Sequence, residues 1–222
     1  MTIQELIYNV RMEIKDFKSD DIKLSDRNIE FLINFLRAKL IRQDIQKNRS
    51  VSSSYEQSLG IVELESVDKS EDSNFPTGTT ILRSVKELPT PIDVNGSMMI
   101  TGVYGLDGGN RIDFKSEAQA IKNSWTKYAS KRLVAYYSSN RLYIVNCFNE
   151  LQYIKLDGVF ENPRDVSGFK KKDGEPCYDP NTDRYPVPAH MVDMINSMIK
   201  RQELDLYFKL IEDKVNDGQN NA

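Results

Sequence analysis

Apolar positions recur at three- and four-residue spacings near both ends of the chain, and at alternate positions in several short runs between. From Ser25 to Asn48, Ile29, Leu32, Ile33, Leu36, Leu40 and Ile41 form one stripe on a helix. Phe31 and Phe35 widen that stripe, and Arg27, Arg37, Lys39, Arg42 and Asp44 cover the rest. Ser25 is the predicted N-cap, because its hydroxyl accepts from a backbone N–H one turn on. Asp26 in the first turn and Lys47 in the last suit the helix dipole. Upstream, Ile3, Leu6, Ile7, Val10 and Ile14 predict a helix over residues 2–17, with Thr2 and Glu5 spaced as a capping box. The two together read as a helical hairpin.

At the other end, Pro188 opens a predicted long helix at its first position, where a missing N–H costs nothing. Met191, Met194, Ile195, Met198 and Ile199 give it one apolar face, and Leu204, Tyr207, Phe208 and Ile211 a second. Between the helices lie β-rich runs over 55–67, 79–87, 98–104, 110–114, 131–137, 141–148 and 151–160. A short helix over 116–127 interrupts them. Asp107-Gly108 predicts a tight hairpin turn, and Ser138–Ser139–Asn140 another.

This order predicts an α+β fold: a helical bundle from both chain ends, with a central antiparallel β-rich region. The expected divisions are a helical hairpin over 1–49, a β-rich region over 50–187, a C-terminal helix over 188–216 packed on the hairpin, and a tail over 217–222. The runs Tyr55–Val67 and Thr79–Glu87 are expected to offer free strand edges to a neighbouring molecule, and the charged loop between them a further contact.

Composition changes this picture little. The 222 residues, 39% of them hydrophobic, suffice for one substantial core. A formal charge of −3 argues against bulk attraction to DNA or anionic lipid, but leaves room for a local basic patch such as Lys170–Lys171–Lys172. Cys147 and Cys177 form no CxxC pair and read as free thiols of a reducing compartment. No signal peptide is expected, and no apolar run approaches the ~20 residues that span a bilayer.

Candidate chemistry is sparse. His190 is the only histidine, so neither a catalytic triad nor a clustered zinc site is expected. The run Asp179-Pro180-Asn181-Thr182-Asp183 spaces oxygen ligands like a calcium loop, but Arg184 stands where such a loop needs glycine. Gly105 to Asn110 is glycine-rich yet leads into a strand, so it reads as a turn. The hairpin also has the outline of a DNA-reading helix pair, which makes a nucleic-acid-binding regulator the alternative reading. Against it, Asp26 and Glu30 occupy the place where bases would be read.

Several segments resemble the ring proteins of crAss-like phages, within the wider class of tailed-phage head-to-tail connector proteins. They are ELIYNVRMEIKDF, SDRNIEFLINFLRAKLIRQDI, TTILRSVKELPTPI, RLYIVN, YIKLDGVFENP and YPVPAHMVDMINSMIKRQEL. The resemblance implies a structural virion protein, a subunit of a dodecameric ring in the phage neck, with no cofactor, metal or catalytic residue. Its implied partners are copies of itself, the portal, neighbouring ring or tail proteins, and genomic DNA passing through the lumen without sequence reading. It implies no membrane contact, and synthesis in the bacterial cytoplasm before assembly into the virion. On that footing Phe31, Phe35, Leu36 and Leu40 are candidates for self-association. Met191, Met194 and Met198 are candidates for docking a partner ring, and Lys170, Lys171 and Lys172 for touching DNA.

Overall fold

The structure is a computed structural model. It describes residues 1–16, 25–48, 50–67, 75–76, 78–106, 111–128, 132–146 and 151–199. The chain divides into two compact units, one made of Met1–Lys47 with the segment from Pro180 onward, the other of Asn48–Asp179.

The first unit is helical. Helix α1 runs Ile3–Asp16 and α2 runs Asp26–Asn48. The capping box forms: Thr2 N–H donates to Glu5 Oε2 at 2.9 Å, and Glu5 N–H to Thr2 Oγ1 at 3.3 Å. Ser25 caps α2, its Oγ accepting from Asn28 N–H at 3.3 Å. Ile3, Leu6, Ile7 and Val10 of α1 are buried, as are Ile29, Ile33, Leu36, Leu40, Ile41 and Ile45 of α2. The run from Tyr185 to Val187 straps this unit together. Tyr185 N–H donates to Met1 O at 3.0 Å, and its hydroxyl donates to Asn34 Oδ1 at 2.7 Å. Arg37 Nε donates to Pro186 O at 2.9 Å, with the guanidinium 5.7 Å from the Tyr185 ring. Arg37, expected on the solvent face of α2, is therefore fully buried. Its partners arrive from the far end of the chain. Pro188 stands at the cap of α4, Ala189–Met198, one place before the first helical residue.

In the second unit β1 (Gln57–Ser66), β2 (Ile81–Ser84), β5 (Ile100–Gly105), β6 (Asp113–Phe114), β7 (Val134–Ser138), β8 (Arg141–Val145) and β9 (Tyr153–Gly158) join in one seven-stranded sheet. Their spatial order is β5-β9-β1-β2-β8-β7-β6. The outermost strands meet through a bridge between Tyr104 and Arg111 and a bond from Ile112 N–H to Val103 O at 2.8 Å, so the sheet is nearly closed. Strands β3 (Asp93–Val94) and β4 (Ser97–Met98) make a small separate hairpin. It turns on Asn95 and Gly96, both with positive φ.

Alternation along the strands feeds two cores. Leu82, Ala135 and Ile144 join the main cluster with Leu59, Val103, Leu156 and Phe160. Their neighbours Ile81, Val134, Tyr136 and Val145 join a second cluster with Phe75 and with Ala120 of α3 (Glu117–Ser124). Strand β7 returns into β8 over Ser139 and Asn140, both left-handed, as the predicted turn requires.

The expected helical bundle is overturned. The fold is β-rich, dominated by the seven-stranded sheet, and the described C-terminal helix α4 has ten residues. The physical reason is that each strand is short and weakly patterned alone, yet closing seven of them buries a core larger than any helix face supplies. The second apolar face, Leu204 to Ile211, lies outside the described residues. So do the Asp107-Gly108 turn, Cys147 and most of the 68–77 loop. The expected free edges are also corrected. β1 pairs with β9 along Gln57–Glu63 and with β2 along Leu64–Ser66, and β2 lies between β1 and β8, so neither is an edge strand of the sheet.

Candidate functional site

Two surfaces carry candidate residues, one in each unit. On α2, Phe31 and Phe35 are 67% and 51% exposed. Their i, i+4 spacing puts them on one face. The rings stack with centroids 6.5 Å apart and planes 15° apart, forming a flat apolar plate. Leu36 and Leu40, read from the sequence with them, point the other way and are buried. The structure thus divides those four residues into an outer pair and an inner pair. The methionines divide too: Met191 is buried, Met198 half-buried and Met194 exposed.

In the second unit, the strap Phe169–Cys177 folds back on itself. Lys171 N–H donates to Glu175 O at 2.8 Å and Cys177 N–H to Phe169 O at 2.8 Å. The strap is fastened to β1 where Ile61 N–H donates to Lys170 O at 3.3 Å. Gly60 makes this approach possible. Its φ is +62°, and a Cβ there would come within 2.6 Å of Lys170 O and 2.8 Å of Cys177 Sγ. Burial pushes the Cys177 thiol pKa up, with nearby Lys171 opposing.

Lys170, Lys171 and Lys172 all stand exposed on this strap. With Lys86, Tyr153 and Phe169 they line a groove of about 290 Å³. Lys86 Nζ lies 6.0 Å from the centre of the Phe169 ring. Among the described residues, Glu63 is the one carboxylate side chain in that lining. Lys86 was invisible as a site residue in the sequence, because only the fold brings the end of β2 beside the strap. Four ammonium groups around two aromatic rings suit a polyanion better than a neutral ligand.

Other candidates stay dispersed. His190 is exposed in the first turn of α4. Among the described residues no group of His, Cys, Asp and Glu is placed to hold a metal ion. At the start of α2, Asp26 is ion-paired with Arg11, so a carboxylate occupies the place where a DNA-reading helix would present donors. No helix among the described residues is long and apolar enough to cross a membrane.

No curated protein matches the chain. A family model described as phage tail ring protein 2, of the crAss-like ring proteins, does match it, over residues 5–222. That match takes in both units and both surfaces, and the chain belongs to the crAss-like phage tail ring protein 2 family.

Proposed function

We propose that this protein is a dodecameric ring subunit in the head-to-tail connector of a tailed phage, joining portal to tail around the DNA channel. Its work is structural: it binds no cofactor and catalyses no reaction. The observation that carries this reading is the stacked Phe31–Phe35 plate, an exposed apolar face on a family member whose relatives are ring proteins. A ring subunit must hold its neighbours through side chains of this kind. Met194, exposed on α4, is the methionine of its set best placed to touch an adjacent ring. The groove of Lys86 and Lys170–Lys172 faces the phosphates of the passing DNA, where scattered lysines attract without reading sequence.

The test is the mass of the full chain by light scattering, with negative-stain images, alone and with portal added. Rings are expected, at least on the portal template, and Phe31→Asp with Phe35→Asp abolishes them while the variant remains folded. A chain that stays monomeric alone and with portal overturns the reading.

A further inference from the structure

A second aromatic pair stands on the other unit. Trp125 and Tyr128, on the turn after α3, are 65% and 86% exposed. Trp125 is the chain's only tryptophan. The turn is built rather than frayed. Thr126 N–H donates to Asn123 O at 3.1 Å, and Thr126 Oγ1 to Lys122 O at 2.9 Å. Ser124 Oγ donates to Ile121 O at 2.6 Å, and Lys127 Nζ sits 5.9 Å from the Tyr128 ring. Beneath it α3 is anchored by buried Ala120 in the second core cluster. Two large aromatic side chains held outward on a fastened base are the usual anchors of a protein interface.

Ring symmetry adds a requirement. A plate that packs on the same plate of another copy makes a two-fold dimer, not a ring. Closing a ring needs two different patches on each subunit, one for each neighbour. We propose that the Trp125–Tyr128 turn is the counterpart of the Phe31–Phe35 plate, and that each copy seats this turn on the plate of the next. Both patches are exposed and aromatic, and Arg27, exposed one helical turn before Phe31, supplies a cation for the indole face. This inference rests on the ring reading above and names its lateral contact.

The sole tryptophan makes the contact directly readable. Mass by light scattering and Trp125 emission are measured on the same samples of full chain, over rising protein concentration. The expected result is a shift of emission to shorter wavelength and a several-fold drop in acrylamide quenching as mass rises. Phe31→Asp with Phe35→Asp loses both changes, and Trp125→Lys loses the rise in mass. Rings whose Trp125 emission and quenching match the monomer's overturn the contact and leave the ring reading standing. Emission already blue-shifted in the monomer, and unmoved on assembly, overturns it too, since the turn is then covered within one chain. A chain that stays monomeric throughout, and again when portal is added, overturns both.

Discussion

The two units meet the problem of unsatisfied surface in opposite ways. In the strand unit each long inner strand has a hydrogen-bonded partner on both sides, and the outermost pair, β5 and β6, is bridged. Among the described residues its inner strands are flanked on both sides for at least part of their length, so it has little edge to lend to a neighbour. In the helical unit the backbone bonds run within each helix, but α2 carries apolar side chains on more of its circumference than the described residues cover. Phe31 and Phe35 are what remains outside. The association proposed for this protein accordingly uses side chains rather than strand addition.

Substitutions can break that contrast, beginning with the inner residues. Phe160→Ala, in the core of the strand unit, costs about 3–5 kcal/mol, and Leu36→Ala, on the inner face of α2, about 2–5 kcal/mol. Phe35→Ala, one residue along, is expected to change stability by no more than ~0.5 kcal/mol, because its ring is already half in water. Urea denaturation checks all three. If Phe35→Ala matches Leu36→Ala in cost, the outer plate is part of the subunit's own core.

Next come the devices that fasten each unit. Arg37→Met leaves Pro186 O without its charged donor and is expected to cost about 1.5–3 kcal/mol in the same measurement. Gly60→Ala forces a side chain into a left-handed backbone, about 1–3 kcal/mol by conformation alone. It also pushes the strap off β1, so it is expected to weaken the proposed DNA contact along with stability. Gly60→Ala with unchanged melting and unchanged DNA affinity would show that the strap is not held at that point.

The smallest effect on stability belongs to the groove. Lys86→Gln leaves melting nearly unchanged. On the proposed DNA contact, it is expected to lower the slope of log affinity for duplex DNA against log salt by about 1, as is any one of Lys170, Lys171 or Lys172 changed to Gln. A Lys86 variant with the wild-type slope would separate it from the strap lysines and remove the groove as a single binding surface.

Much of the local structure was legible. The hairpin helices, the Thr2–Glu5 box, the Ser25 cap and the left-handed turn at Ser139–Asn140 all depend on residues within a few positions of one another. The resemblance to ring proteins was legible too, since order and spacing survive without coordinates. What failed was weight and placement. Short strands looked like an insert between helices because no one of them predicts how many others will join it. The hairpin at Asn95–Gly96 joins strands of only two residues each, too short to show an alternating pattern. The apolar stripe of α2 offered no means of separating Leu36 from Phe35, because the line between core and surface on a helix is drawn by whatever packs against it.

From the chain alone came the helices with their caps, the strand-rich middle, the scarcity of catalytic side chains and the family likeness. Each rests on interactions between neighbours in sequence or on residue types. Only the tertiary structure decided that β1 and β2 lie inside the sheet, that Arg37 is buried under Pro186, that Lys86 joins the lysine strap and that Phe31 and Phe35 stay outside. Those outcomes hang on pairings between distant segments, whose free energy is set by the whole closed core and not by the pattern of any single stretch.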